Sequence, residues 1–232
     1  MKDIKDILFI VQARLCSERA PRKMLKPFAG TSLMKAFTDK LADSKVIPPE
    51  NFYISVHEQE LIDFGKENNL NVFERSEESC FYDGQVPIRV MYEWWDKLPY
   101  KYCVLLNACT PFLKIETIDN FAKEYMKSDS DGMFGVIKRK EYFWNKDGEF
   151  ITNWPEGQSC LNTKFVETTY EAAHCLYAGR MDLIGKGIWM GDFQKNGDIE
   201  LFPIDEEETF DIDYEWQFKM AEARFLMENS SK

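Results

Sequence analysis

Short apolar runs alternate with amphipathic stretches along the chain, and this alternation predicts strands and helices that take turns. The predicted strands are 7–11, 52–56, 70–73, 103–106, 133–137, 173–178 and 199–203. The predicted helices are 32–42, with Ser32 as N-cap, and 59–68, 86–98, 115–126 and 214–227. Strands alternating with helices favour an α/β fold with a mostly parallel sheet and flanking helices.

The regular alternation fails over residues 138–169, which are rich in aromatic and polar side chains and contain two turn signals. We interpret this segment as a small projecting arm within a single domain that covers residues 1–232. Aromatic side chains are suited either to a homodimer contact or to covering the sheet, and the pattern leaves both open. Those of the arm include Tyr142, Phe143, Trp144, Phe150 and Trp154.

The composition of the chain excludes some classes of binding partner. A net charge of −11 over 232 residues argues against nucleic acid, whose phosphates need a cationic surface. No apolar run approaches the roughly 20 residues that cross a bilayer, and the acidic start does not resemble a signal peptide. We therefore expect a cytoplasmic protein with small-molecule partners and no membrane contact.

The six cysteines are scattered without a CxxC pair, which favours free thiols over a metal site. A cysteine nucleophile is the alternative. It would need a base, and the chain has only two histidines, His57 and His174.

The segment after the first predicted strand is strongly basic. Its cations, five within thirteen residues, are Arg14, Arg19, Arg22, Lys23 and Lys26. Ligands bind at the carboxyl ends of parallel strands, and guanidinium and ammonium groups suit phosphate oxygens. The pattern predicts a triphosphate site, with a solvated basic loop as the alternative.

This loop resembles that of the CTP-using cytidylyltransferases that activate sialic acids, other nonulosonic acids and KDO, whose pattern is A-R-x-x-S-K-x-x-P-x-K-N. The residues at matching spacings are Ala13, Arg14, Ser17, Pro21 and Lys23, while Glu18 and Met24 depart from the pattern. The loop is also similar to the spore-coat polysaccharide branch. The resemblance implies a Rossmann-like nucleotide-diphospho-sugar transferase fold and a cavity for CTP. It also implies that Arg14 and Lys23 hold the triphosphate, with Ala13 and Ser17 beside them.

Two further segments extend the resemblance. Residues 104–113 form a strand that runs into a polar turn, similar to the family's L-L-Q-P-T-S-P-L-R motif. The likeness places Asn107 where the family's glutamine contacts cytosine, with Thr110 beside it; a structural strand exit is the alternative. Arg75 is similar to the arginine that opens R-P-x-x-L-A-x-D, which implies a nucleotide contact, with a surface salt bridge as the alternative.

The segment 210–215, Phe-Asp-Ile-Asp-Tyr-Glu, leads into the last predicted helix. Alternate residues of an extended segment share a face, so Asp211 and Asp213 can project together and bind Mg²⁺. An acidic helix start is the alternative. The family carries I-D-I-D at this point, and its two aspartates hold the metal.

Together these motifs predict attack of an acceptor hydroxyl on the α-phosphorus of CTP, with Arg14, Lys23, Asp211 and Asp213 as catalytic groups. The resemblance implies an acidic sugar as acceptor. From the aromatic arm we expect a homodimer.

Acceptor contacts are less clearly marked in the sequence. His174 is a candidate to contact the acceptor or take its proton, unless it is a core histidine. Arg139 is a candidate for the acceptor's anion, unless it is solvated. A phosphonate acceptor, a GT-A-type glycosyltransferase and a non-catalytic nucleotide-binding module remain as alternatives.

Overall fold

The computed structural model describes residues 1–81, 86–189, 191, 195 and 198–230. Its main feature is a seven-stranded sheet in the order β5-β4-β1-β6-β8-β7-β9. All neighbouring pairs are parallel except the two that involve β8, which runs opposite to β6 and β7. The prediction of a mostly parallel α/β sheet is therefore confirmed.

The strands of this sheet are β1 Ile7–Gln12, β4 Phe52–Val56, β5 Asn71–Glu74, β6 Tyr102–Leu106, β7 Gly132–Arg139, β8 Thr169–Arg180 and β9 Ile199–Pro203. A separate small hairpin consists of β2 Pro27–Phe28 and β3 Thr31–Ser32. Residues 7–11 are fully buried because β1 lies in the middle of the sheet between two parallel neighbours. The continuous apolar run that predicted this strand reflects burial on both faces.

The helices are α1 Leu33–Ala42, α2 Gln59–Glu67, α3 Glu77–Cys80, α4 Ile88–Met91, α5 Ile115–Lys127, α6 Met181–Gly185 and α7 Glu215–Ser230. Ser32 caps α1 as predicted, because its hydroxyl accepts a hydrogen bond from the Lys35 N–H at 3.2 Å. None of the helices within the described residues has the length and apolar character needed to cross a membrane.

The single helix predicted over 86–98 is wrong, because the chain breaks into α4 and a 3-10 turn at Glu93–Trp95. Trp94 is fully buried, and its indole N–H donates to the Gln12 side chain at 3.3 Å. The Gln12 amide in turn donates to the Met91 carbonyl at 3.1 Å. Docking against the end of β1 therefore overrides the helical pattern and fixes the orientation of Gln12.

The pairing of β7 with β8 is interrupted by a shift in register between Phe134 and Val136. Opposite this shift, His174 has a left-handed backbone with φ of 53°. Gly135 permits the close approach: a Cβ built there would lie 2.7 Å from Ile204 Cδ1 and 3.2 Å from the Leu176 carbonyl oxygen. Such irregularities are common beside active sites, where they redirect a side chain.

The segment between β7 and β8 adds no strand to the main sheet. One antiparallel bridge joins Trp144 to Phe150, and a 3-10 turn covers Thr163–Phe165. Four of its rings pack against one another, namely Tyr142, Trp144, Phe150 and Trp154. The last three nevertheless stay 44–48% exposed, so this cluster covers little of the sheet.

We predict that Gly135→Ala lowers the free energy of unfolding by about 1–3 kcal/mol, because the added methyl group overpacks the β7–β8 irregularity. Urea unfolding followed by circular dichroism measures the change. Glu200→Ala, at an exposed position on the adjacent β9, is the control and should change stability by less than about 0.5 kcal/mol. An unchanged unfolding midpoint for Gly135→Ala would contradict the tight approach.

Candidate active site

The carboxyl ends of β1 and β6 meet at one edge of the sheet, where parallel α/β folds bind ligands. A cavity of about 690 Å³ lies against the loop that follows β1 and includes Ala13, Arg14, Ser17 and Lys23 in its wall. A second cavity of about 390 Å³ lies against the end of β6. Gln12 and Asp213 belong to both walls, so the two cavities form neighbouring parts of one cleft.

The loop after β1 is fixed by its backbone. The Ala13 N–H donates to the Ser55 carbonyl at 3.1 Å, and the Leu15 N–H donates to the Glu58 carboxylate at 2.6 Å. The loop closes where the Arg22 N–H donates to the Leu15 carbonyl at 3.1 Å, with Arg22 in a left-handed conformation of φ 57°. This conformation takes the place of the glycines that serve in many phosphate loops.

The five cations of this loop divide into two groups. Arg14, Arg19 and Lys23 line the larger cavity. Arg22 and Lys26 instead form ion pairs with Glu60 and Glu215 on neighbouring helices. Three cations in one wall suit a polyphosphate, so the solvated-loop alternative applies only to the second group.

Lys23 joins the loop to the acidic segment near the other end of the chain. Its ammonium group donates to the Ile212 carbonyl and lies 3.8 Å from the Asp213 carboxylate, and its side chain is only 12% exposed. Arg19, which occupies a variable position of the family pattern, donates to the same Asp213 oxygen at 2.8 Å. The predicted acidic and basic halves of the site are therefore in direct contact.

Asp211 lies on the wall of the smaller cavity with Asn107 and His174. Its Oδ1 atom is buried and has no hydrogen-bond partner among the described residues. Burial raises the pKa of Asp211; the Lys23 cation opposes this rise, and the Asp213 charge adds to it. A buried carboxylate oxygen without a partner is costly, and a bound cation would stabilise it.

Two predicted site residues lie behind the cleft. Arg75 is 4% exposed and donates to the Ala13 carbonyl at 2.8 Å, so it stabilises the loop after β1 from inside the protein. Thr110 is fully buried and donates to the Asn107 carbonyl at 2.7 Å, so it closes the turn after β6. Neither residue lines the cavities described above, and a direct nucleotide contact would require these segments to open.

Asn107 lies in the cleft, but its amide is partly used. The Nδ2 group donates to the His174 carbonyl at 2.9 Å, and Oδ1 accepts from the Cys109 N–H at 2.9 Å. The Asp211 carboxylate competes for the remaining N–H, and one lone pair is left for a ligand. The first of these bonds also holds the strained His174 backbone in place.

His174 is exposed and lines the cleft, so the alternative of a core histidine is wrong. Its Nδ1 lies 2.8 Å from the Tyr177 hydroxyl. Burial raises the pKa of Tyr177, which keeps its phenol protonated and able to donate to Nδ1. When Tyr177 donates this bond, the second nitrogen of the neutral His174 ring carries the proton and is the ring donor left for a ligand.

Arg139 lies at the end of β7 in the wall of a third cavity of about 390 Å³, which also includes His174, Asp211 and Asp213. Arg139 is not simply a solvated surface residue, because its guanidinium donates to Glu171 and forms an ion pair with Glu206, each at 2.6 Å. The structure therefore places Arg139 beside the candidate metal ligands.

All six cysteines are free thiols. Burial raises the pKa of Cys80 and Cys109 to about 11 and that of Cys103 and Cys175 to about 12. Thiols of this kind are poor nucleophiles at neutral pH, which disfavours cysteine catalysis at these four positions.

Solved structures share the fold over nearly the whole chain. A CMP:2-keto-3-deoxy-manno-octonic acid synthetase complexed with CTP matches with a TM-score of 0.69 at 10% identity, covering 96% of this chain and 99% of that one. The 4-diphosphocytidyl-2C-methyl-D-erythritol synthase of Anaerococcus prevotii matches with a TM-score of 0.65 at 13% identity, covering 96% and 99%. A cytidylyltransferase from Leptospira borgpetersenii matches with a TM-score of 0.60 at 14% identity, covering 97% and 95%.

No curated protein matches the sequence significantly. The cytidylyltransferase family model matches residues 8–158, which include the basic loop, strands β4 to β7 and the turn at Asn107. The chain therefore belongs to the cytidylyltransferase family of CTP-dependent enzymes.

Proposed function

We propose that this enzyme transfers CMP from CTP to a hydroxyl group of an acidic sugar or a similar acid and releases pyrophosphate. The observation that carries the proposal is the Asp211 carboxylate oxygen, buried without a partner among the described residues, beside the loop of Arg14, Arg19 and Lys23. An acidic pair next to a cationic wall is the arrangement that a metal triphosphate requires.

The donor set fits Mg²⁺. Within the described residues, no three His, Cys, Asp or Glu side chains cluster as a complete metal cage. Mg²⁺ rarely needs such a cage, because one or two carboxylates, substrate phosphates and water complete its shell. Asp211 and Asp213 would hold the ion, which when bound neutralises charge on the triphosphate and its leaving group.

The reaction forms a bond between the acceptor oxygen and the α-phosphorus and breaks the bond from that phosphorus to the bridging oxygen. Pyrophosphate leaves with the electron pair of the broken bond, and the hydroxyl proton is released to water. Arg14 and Lys23 orient the triphosphate for this displacement, and most of the rate effect comes from positioning and charge stabilisation.

The acceptor would occupy the cavity between His174 and Arg139. The His174 N–H is suited to donate to an acceptor oxygen, which supports a binding role rather than proton removal. Arg139 is suited to bind the acid group of the acceptor, beside its two glutamate partners or in place of one of them.

The exposed aromatic cluster of residues 142–154 supports a homodimer, in which the arm packs against a second copy of the chain. Apolar surface of this kind is expected at an interface rather than in water. Beside the rings, Ile151 is 66% exposed and Leu161 is 62% exposed.

We predict Mg²⁺-dependent pyrophosphate release with CTP and an acidic acceptor, and at least tenfold less with ATP, GTP or UTP, a margin equivalent to about 1.4 kcal/mol. A coupled pyrophosphate assay with sialic-type acids, KDO and phosphonates measures this. CTP that binds without turnover of any acceptor would contradict the proposed reaction.

We predict that Asp211→Asn lowers kcat by on the order of 100-fold or more, because the charge at the metal site is lost. Asp205→Asn, at an exposed position in the same part of the chain, is the control and should keep normal turnover. Near-normal kcat for Asp211→Asn would remove this residue from the metal site.

We predict that the wild-type chain sediments as a dimer and that the double variant Ile151→Lys, Leu161→Lys sediments as a monomer with unchanged circular dichroism. Charges at the contact would have to be desolvated, which opposes association. A monomeric wild-type protein, or a double variant that stays dimeric, would contradict the role of the arm.

A further inference from the structure

The third cavity contains charged groups that the transfer of CMP does not itself require. Its wall includes Arg139, Glu171, Glu206, Glu207 and Arg224, in addition to the two candidate metal ligands. Three carboxylates and two guanidiniums make this set acidic even when Asp211 and Asp213 are assigned to the metal. An acceptor in this cavity therefore meets more negative than positive charge.

Arg224 has little capacity left for an acceptor. Its Nε donates to Glu228 at 2.7 Å, and its Nη1 donates to the Glu207 carbonyl at 3.0 Å. The guanidinium also lies over the Phe112 ring, 3.9 Å from the centroid. Arg139 is thus the cation in this wall that can exchange partners.

Arg139 is held between two carboxylates on different elements. Its Nε donates to Glu171 on β8, and its Nη1 contacts Glu206 in the turn after β9, each at 2.6 Å. Both glutamates are more than half exposed, whereas the Arg139 side chain is 25% exposed. The glutamates can therefore move away from Arg139 more easily than Arg139 can leave the wall.

An acid group that binds Arg139 either takes the place of Glu171 or Glu206 or binds beside them through the other N–H groups of the guanidinium. In both cases the bound anion lies close to at least one glutamate carboxylate of this cavity. This repulsion works against a simple acid, because like charges at close range disfavour binding. An acceptor that also carries a cation would pair with that carboxylate and so offset the repulsion.

We infer that the acceptor carries an amino group in addition to its acid group, so that Arg139 takes the anion and Glu171 or Glu206 takes the ammonium. This inference rests on the proposed function and specifies its substrate class as aminated acids. The two glutamates are then specificity-determining residues, and neither is needed for the binding of CTP or Mg²⁺.

Matched acceptor pairs test the inference. We expect kcat/KM to be about tenfold higher for 8-amino-8-deoxy-KDO than for KDO, because a charged hydrogen bond contributes at least about 1.4 kcal/mol. The same ratio is expected for 2-aminoethylphosphonate over its N-acetyl derivative, a pair in which a phosphonate oxygen replaces the hydroxyl as nucleophile. Calorimetric titration of the same pairs into enzyme with CMP and Mg²⁺ measures the preference as a ratio of affinities without requiring turnover.

The double variant Glu171→Gln, Glu206→Gln keeps oxygen acceptors for Arg139 and removes both negative charges. We expect it to lose the preference for the amine in both pairs while its affinity for CTP is unchanged. Glu167→Gln, an exposed glutamate outside the cavity, is the matched control and should keep the preference.

Two outcomes would overturn the inference while leaving the proposed function intact. One is turnover of the acetylated or unaminated acceptor that equals or exceeds that of its aminated partner. The other is a preference for the amine that the double variant retains. Failure of every acceptor to bind or react would instead reject the proposed function and, with it, this inference.

Discussion

The contact between Lys23 and the segment 211–213 is the interaction on which the rest of the site depends. It joins residues that are 189 positions apart, through an ammonium group that donates to the Ile212 carbonyl and faces Asp213. Without this cation, two carboxylates would lie together in a partly buried wall. The same cation faces the cavity of Arg14 and Arg19, so it balances the acidic half of the site and belongs to the basic half.

A second constraint, on the backbone of β8, shapes the part of the cleft proposed to bind the acceptor. The antiparallel β8 runs between β6 and β7, and its irregular pairing turns His174 into the cleft with a left-handed backbone. The Asn107 amide donates to the His174 carbonyl, and the Tyr177 hydroxyl forms a hydrogen bond with the His174 ring. The backbone strain is thus stabilised by specific contacts, as expected at a functional position.

The sequence predicted the features of the fold and of the site that depend on local pattern. Apolar runs predicted the strands because the central ones are buried on both faces, and the family motifs predicted the basic loop and the aspartate pair. Tertiary contacts decided the rest. The contact between Trp94 and Gln12 interrupts the segment that was predicted as one helix. Arg75 and Thr110 were predicted to contact the nucleotide, but they are buried behind the cleft. The glutamate partners of Arg139 come from distant segments, and no spacing in the sequence reveals them.

A calorimetric titration of CTP with and without Mg²⁺ tests the shared metal–triphosphate site most directly. We expect Mg²⁺ to tighten CTP binding to the wild-type protein. We expect the double variant Asp211→Asn, Asp213→Asn to lose this effect while circular dichroism shows an intact fold. Equal affinities in the presence and absence of Mg²⁺, or the same gain in the double variant, would contradict a metal–triphosphate site shared between the first loop and the two aspartates.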